Sequence, residues 1–143
     1  MSVTLNPYLS FRDNAREAMQ FYRDVFGGDL AISTFDEFQA SPDPAEGNKV
    51  MHGMLTTPSG LTLMGADTPS SMPLAEASSV SVSLSGGPSD EAELRRYWDG
   101  LCSGGTVTVP LEKAPWGDTF GMCTDKFGTA WLVNIGGQEM PPA

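Results

Sequence analysis

Hydrophobic and polar positions follow one pattern twice along the chain, and its first copy occupies residues 3–65. Residues 3–11 alternate as a strand with one apolar face. The helical stripe that follows consists of apolar residues three and four apart: Ala15, Ala18, Met19, Tyr22, Val25 and Phe26. Residues 29–35 return as a strand, and residues 50–56 and 61–65 form a hairpin across a Thr-Pro-Ser-Gly turn. The pattern predicts a βαβββ unit.

The second copy occupies the C-terminal half. Residues 79–84 alternate as a strand, residues 106–111 form another, and residues 119–124 and 129–135 form a hairpin. The turn of this hairpin, Asp-Lys-Phe-Gly, starts with a residue that bonds its own backbone and ends with one that accepts positive φ. The helical stripe between the first two strands consists of Leu94, Tyr97, Trp98, Leu101 and Cys102. The sequence therefore predicts an internal duplication.

Both helices carry the same start and stop signals. Asn14 is followed three residues later by Glu17, and Asp90 is followed by Glu93 at the same spacing, which is the pattern of a capping box. A Gly-Gly pair follows each helix and supplies the stop. We therefore expect the side chains of Asn14 and Asp90 to cap the two helices.

The predicted fold class is α+β, with residues 1–143 forming one domain. Residues 1–68 form the first βαβββ unit, residues 69–78 a polar linker, and residues 79–143 the second unit. Because each helix covers one sheet face, the opposite face stays free, and we expect two such units to form a curled mixed sheet around a cleft. The acidic stretch 36–46 is interpreted as a solvated surface loop, or alternatively as a lid beside the cleft.

Composition excludes several classes of function. Eighteen acidic and eight basic residues give a net charge of −10, which argues against binding to nucleic acid or to an anionic membrane. No apolar run reaches transmembrane length and no signal peptide is apparent, so we expect a cytoplasmic protein.

Cys102 and Cys123 lie outside any CxxC pattern and are interpreted as small buried hydrophobic residues rather than a redox pair. The sequence contains no GxSxG, HExxH or P-loop pattern, and no GxGxxG following a strand.

Four segments together carry a resemblance to a known family. The opening NPYLSF, the strands VMHGML and GLTLMGAD, and the closing WGDTFGMCTDKFGTAWLVN resemble the vicinal oxygen chelate superfamily, and within it the PhnB-like branch. This branch is related to glyoxalase and bleomycin-resistance proteins. The resemblance implies a glyoxalase/bleomycin-resistance-like fold, a site in the cleft between the paired units, and a homodimer. Some relatives carry a methyltransferase label, which we do not transfer because no glycine-rich nucleotide loop is present.

The resemblance also gives the positions at which metal-dependent members hold a divalent ion. Those members use His, Gln and Glu on the first and fourth strands of each unit. The matching positions here are Asn6, Met64, Ser79 and Leu132, which offer no carboxylate, imidazole or thiolate. We therefore expect no metal and no other cofactor, and no metal-dependent glyoxalase or dioxygenase activity.

Strand alternation predicts a cleft lined by apolar side chains with a few neutral hydrogen-bonding groups. The candidate ligand-binding residues are Tyr8, His52, Met54, Met64, Ser81, Trp116, Phe120, Met122, Leu132 and Asn134. His52 is the only histidine, so it is either a general base or ligand anchor, or a strand histidine satisfied by a neighbouring hydroxyl or carbonyl. The methionines are alternatively core residues. Trp116 and Phe120 either cap the cleft or pack against another unit or subunit.

Three functions remain open at this point. The first is a metal-free protein that binds or sequesters a small, largely apolar molecule. The second is a metal-independent enzyme that uses His52 as general base on an unknown metabolite. The third is a structural homodimer whose cleft is vestigial. None of them includes a nucleic-acid or membrane partner.

Overall fold

The computed structural model describes residues 3–38, 44–74 and 78–138. The chain divides into two compact units, Met1–Glu76 and Ala77–Ala143. Each unit contains one α-helix and one four-stranded mixed sheet. This is the two-repeat βαβββ organisation, and the expected α+β class is confirmed. Within the described ranges, no helix has the length and apolar character needed to cross a membrane.

Unit 1 contains strand β1 (Tyr8–Phe11), helix α1 (Ala15–Phe26) and strands β2 (Asp29–Thr34), β3 (Val50–Thr56) and β4 (Thr62–Asp67). The strand order in its sheet is β1-β4-β3-β2. Strand β1 runs parallel to β4, whereas β3 is antiparallel to both β4 and β2. The first and last strands of the unit are therefore direct neighbours.

Unit 2 repeats this arrangement. It contains β5 (Val82–Gly86), α2 (Glu91–Cys102), β6 (Thr106–Lys113), β7 (Thr119–Thr124) and β8 (Ala130–Ile135). The order is β5-β8-β7-β6, with β5 parallel to β8 and the other pairs antiparallel. Each unit thus shows the same topology, as the repeated pattern predicts.

The core of each unit lies between its helix and one face of its sheet. The predicted apolar stripes are buried there, with Met19 and Tyr22 of α1 and Leu101 of α2 fully inaccessible to solvent. Small residues on the strands permit this close approach: a Cβ atom at Gly65 would lie 3.0 Å from the sulfur of Met19. Within the described part of each unit, no helix covers the opposite sheet face.

The first strand of each unit is displaced from its predicted range. Strand β1 begins at Tyr8 rather than at residue 3, and Leu5 is fully exposed. Pro7 explains this start, because proline has no N–H to donate, and its carbonyl oxygen accepts the bond from the N–H of Met64 at 3.1 Å. Strand β5 spans residues 82–86 rather than 79–84, so the alternation before Val82 lies outside the sheet.

The predicted capping boxes are wrong. The side chain of Asn14 makes no cap bond; instead the N–H of Ala15 donates to Oδ1 of Asp67 at 2.9 Å, from the end of β4. The other oxygen of Asp67 accepts the N–H of Val50 at 3.0 Å. In unit 2, Asp90 makes no cap bond to α2 either and accepts the N–H of Gly87 at 3.1 Å. Local spacing cannot reveal a cap that a distant strand supplies.

The acidic stretch before β3 is only partly solvated. Two short 3-10 turns, Asp36–Phe38 and Pro44–Glu46, lie on either side of residues 39–43, which fall outside the described residues. Glu46 is buried and accepts the N–H of Ser70 at 3.0 Å, which lowers the pKa of its carboxyl, and Lys49 contributes a further contact at 3.4 Å. The interpretation of a solvated loop is therefore wrong for Glu46, which anchors the segment to the chain after β4.

Candidate functional site

The uncovered face of the sheet in unit 1 carries a row of large side chains. The strand register pairs Tyr8 with Met64 and Met64 with Met54, so these three residues cross β1, β4 and β3 on one face. Tyr8 is 50% exposed and Met54 is 38% exposed. Met54 is therefore not a core residue, and the row presents apolar, polarizable surface.

His52 lies on the same face and contacts Tyr8. The phenol oxygen is 3.3 Å from Nδ1 of the imidazole, and the two ring centroids are 5.7 Å apart. Burial raises the pKa of the Tyr8 phenol, so it remains a hydroxyl that can donate to Nδ1. The hydroxyl can donate to Nδ1 or accept from Nδ1–H, so this contact is compatible with both tautomers of the ring. Among the described residues no carboxylate contacts this ring, so nothing orients it in the way a catalytic base is usually oriented.

The uncovered face of unit 2 has a different composition. One row joins Ser83, Leu132 and Met122 across β5, β8 and β7. The next row joins Ser85, Asn134 and Phe120. On this face the serine hydroxyl groups of β5 are exposed, and the apolar and amide side chains of β7 and β8 are half-buried.

An open pocket of about 750 Å³ lies where β7 begins and β8 ends. Asp118 organises its wall: one carboxylate oxygen accepts the N–H of Gly137 at 2.9 Å, and the other accepts the amide of Asn134 at 3.2 Å. These two bonds hold the pKa of the Asp118 carboxyl below its ordinary value. The carboxylate therefore orients the Asn134 amide at the edge of the pocket.

The predicted ligand-binding residues fall into two separate sets. Unit 1 brings together Tyr8, His52, Met54 and Met64. Unit 2 brings together Phe120, Met122, Leu132 and Asn134, and Trp116 lies beside Phe120 with ring centroids 6.4 Å apart. Ser81 joins neither set, because β5 starts one residue later.

The two charged residues of the pocket lining were not predicted from sequence. Asp118 stands inside the most specific part of the family resemblance, but its link to Asn134 depends on the register of β7 and β8. Lys113 ends an exposed edge strand and carries no sequence signal of a site. The only sequence feature that could have drawn attention to Lys113 is that basic residues are few, since the chain has eight.

The residues at the family's metal positions remain chemically neutral. Asn6 donates its amide to the hydroxyl of Thr4 at 3.1 Å, and Met64 and Leu132 stand in β4 and β8. In the described part of the chain, no group of three or more His, Cys, Asp or Glu residues could hold a metal ion. Absence of a bound metal in the protein stays a prediction.

Neither cysteine is suited to act as a nucleophile. Cys123 is buried, and burial raises the pKa of its thiol to about 12. Cys102 is half-buried, and burial raises its pKa as well. Both thiols are free, and the low-pKa environment of a reactive cysteine is missing at both.

Comparison with known proteins places these features in a family context. A family model described as 3-demethylubiquinone-9 3-methyltransferase matches residues 3–134. The protein YjdN of Escherichia coli (strain K12) is 29% identical, over 96% of this chain and 98% of that protein.

Solved structures give the same picture. Protein PA1353 from Pseudomonas aeruginosa superposes with a TM-score of 0.79 at 38% identity, over 94% of this chain and 98% of that one. A PhnB protein from Bacillus cereus superposes with a TM-score of 0.72 at 25% identity, over 94% of this chain and all of that one (100%). A glyoxylase/bleomycin resistance protein/dioxygenase domain from Frankia shares the fold, with a TM-score of 0.60 at 15% identity over 95% and 93%.

Proposed function

The chain belongs to the family described as 3-demethylubiquinone-9 3-methyltransferase, the PhnB-like branch of the vicinal oxygen chelate superfamily, and we propose that it binds a small, largely apolar molecule without a metal ion. The methyl transfer named in the family description is not part of this proposal. A methyl donor built on a nucleotide needs a dedicated binding loop, and the sequence contains no glycine-rich nucleotide motif.

The uncovered face of unit 1 carries the proposal. Tyr8, Met54 and Met64 form a continuous apolar row there, and two of them are substantially exposed. Small-molecule sites combine apolar surface with a few placed polar groups, and methionine adapts to ligands of different shape. The hydrogen-bonded pair of Tyr8 and His52 supplies such a polar group at the edge of the row.

His52 acts in this proposal as a neutral hydrogen-bond anchor. Its Nδ1 is engaged by Tyr8, which leaves Nε2 as the ring nitrogen available for a hydrogen bond to a ligand. The alternative, a metal-independent enzyme with His52 as general base, needs Nε2 to accept a proton from the substrate. Because no carboxylate contacts the His52 ring among the described residues, we favour the binding role.

The test begins with a thermal-shift screen of small apolar compounds, because a ligand that binds the folded state raises the melting temperature. For a compound so found, His52→Gln should weaken affinity by about 0.5–1.5 kcal/mol, the value of one neutral hydrogen bond. If His52 is instead a general base, turnover of a substrate should fall by roughly 10²–10⁴-fold while binding changes little. The single variant His52→Gln therefore distinguishes a hydrogen-bond anchor from a general base.

The methionines provide a matched control. Met54→Ala should weaken binding, whereas Met72→Ala should not, although Met72 is also exposed, at 55%. Met72 lies in the segment after β4, outside the row. Equal losses in both variants, or unchanged affinity together with unchanged turnover on loss of His52, would show that this face is not the binding site.

We also propose that the protein is a homodimer. Val107 and Val109 are exposed on β6, which is an edge strand of its sheet and so has unpaired backbone groups on one side. Light scattering across micromolar concentrations should give twice the chain mass, and a monomer throughout that range would contradict this proposal.

A further inference from the structure

The pocket at the end of β7 and β8 differs in chemistry from the face of unit 1. Its lining includes Ser85, Lys113, Trp116, Asp118 and Asn134, so it combines one cation, one exposed aromatic ring and several hydrogen-bonding groups. We propose that this pocket binds a small monocarboxylate that carries a flat apolar group. The inference goes beyond the proposed function, because it concerns a second site made only of residues of unit 2.

Lys113 is the first observation behind it. All eight lysines and arginines lie in the described part of the chain, and seven of them make a hydrogen bond, ion pair or ring contact there: Arg12, Arg16, Arg23, Lys49, Arg95, Arg96 and Lys126. Only the side chain of Lys113 makes none with any described residue, although its backbone pairs with Thr119 in the sheet. In a chain with a net charge of −10, Lys113 is therefore the basic residue of the pocket lining that we take as the partner for an external anion.

Trp116 is the second observation. Its side chain is 67% exposed, whereas Trp98 and Trp131 are both buried in the core of unit 2. An edge-to-face contact with Phe120 supports the ring, with an interplanar angle of 60°. A large exposed aromatic ring beside a free cation suits a ligand that has a flat apolar part and a negative charge.

Asp118 restricts the charge of that ligand. Both of its oxygens already accept a bond, from Gly137 and from Asn134, so the carboxylate is a fixed negative charge in the wall. One lysine and one aspartate leave the lining close to neutral, which disfavours a dianion such as phosphate and fits a single carboxylate. The oriented Asn134 amide keeps its second hydrogen and its carbonyl oxygen for the ligand, and Ser85 adds an exposed hydroxyl.

The experiment uses the full chain and follows the three indole N–H signals by two-dimensional NMR. The probes are benzoate, its neutral analogue benzamide, and inorganic phosphate. Benzoate should shift the signal of Trp116 and leave those of Trp98 and Trp131 in place, because only Trp116 lines the pocket. Benzamide should bind at least about tenfold more weakly, as expected when one charge-assisted hydrogen bond is lost, and phosphate should cause no saturable shift.

Matched variants test the role of the cation. Lys113→Gln should weaken benzoate binding by about tenfold or more, and Lys113→Arg should retain most of it. Lys126→Gln removes the same charge from the turn at the opposite end of the β7–β8 hairpin and should leave binding within about twofold. The unshifted indole signals of each variant report whether unit 2 is correctly folded.

Three outcomes would overturn the proposal. Equal affinities for benzoate and benzamide would show that the ammonium group takes no part. An equal loss of benzoate affinity in Lys113→Gln and Lys126→Gln would show that only the overall charge of the protein matters. An unmoved Trp116 signal at saturating benzoate would show that the pocket is not the site. None of these results depends on the Tyr8–His52 face, so the two proposals fail separately.

Discussion

Replacing Asp125 with asparagine should destabilise unit 2 by about 2–4 kcal/mol. Asp125 begins the turn between β7 and β8 and is only 3% exposed. One of its oxygens accepts the N–H groups of Phe127 and Thr129, at 2.8 and 3.1 Å, and the other accepts the indole N–H of Trp131 at 2.8 Å. The carboxylate thus connects the turn to the largest buried side chain of the sheet.

The magnitude follows from these contacts. An asparagine can keep the two turn bonds with its carbonyl oxygen. Its NH₂ group then points at the indole N–H of Trp131, so two hydrogen-bond donors oppose each other. The variant therefore loses one bond to a charged acceptor, worth about 1.5–3 kcal/mol, and leaves a donor of Trp131 without that acceptor in the core. Asp125→Ala removes all three bonds, so we expect a larger loss, about 3–5 kcal/mol.

The assay is urea denaturation followed by tryptophan fluorescence. All three tryptophans lie in unit 2, so the signal reports on that unit. A double-mutant cycle with Trp131→Phe isolates the bond, because phenylalanine lacks the indole donor. Asp125→Asn should cost about 1–2 kcal/mol less in the Trp131→Phe background than in the wild type.

Two results would refute this reasoning. Additive losses, with a coupling free energy below about 0.3 kcal/mol, would show that the bond between Asp125 and Trp131 contributes nothing measurable. A loss of less than about 0.5 kcal/mol for Asp125→Asn alone would place the position among ordinary surface substitutions.

Three further predictions concern other positions in the two units. Asp67→Ala should destabilise unit 1 by about 2–4 kcal/mol, because two buried N–H groups lose their acceptor, and unchanged hydrogen exchange of those two amides would contradict it. Gly28→Ala should lower the urea midpoint more than Gly27→Ala: both residues have positive φ, but only at Gly28 would a Cβ lie 2.2 Å from the carbonyl oxygen of Thr56, so equal losses would be unexpected. Cys123, with its pKa raised to about 12, should resist iodoacetamide at pH 8 in the native protein, and mass spectrometry showing labelling at the rate of a free thiol would oppose this prediction.

Much of the fold could be predicted because residues that face the core are apolar, and they recur at the spacing of a helix or of a strand. The helices and the two hairpins appear where the apolar spacing indicates them, and Trp131, Val133 and Ile135 share the buried face of β8 as expected. The starts of β1 and β5 and both helix caps were missed. The cap of α1 depends on a partner far along the chain, since Asp67 lies 52 residues from the amide that it caps, whereas Asp90 before α2 bonds the nearby Gly87 instead.

The candidate site was predictable to a similar extent. Alternation along the strands correctly separates His52 and Met54 from the buried Leu55. It cannot show that His52 contacts Tyr8, because that contact joins residues 44 positions apart through the strand order. Lys113 was missed for a related reason, since an isolated lysine on an edge strand is ordinary until its surroundings are known.

The parallel pairing of β1 with β4 has a consequence for synthesis on the ribosome. Strand β1 leaves the exit tunnel first, but its partner β4 and the cap at Asp67 are made last in the unit. Helix α1 has 12 residues, a length at which an isolated helix is marginal in water. Because α1 packs on β2, β3 and β4, the nascent segment cannot bury its whole apolar stripe until about residue 68 has emerged. Chaperone demand during translation should accordingly be concentrated in the interval before β4 appears.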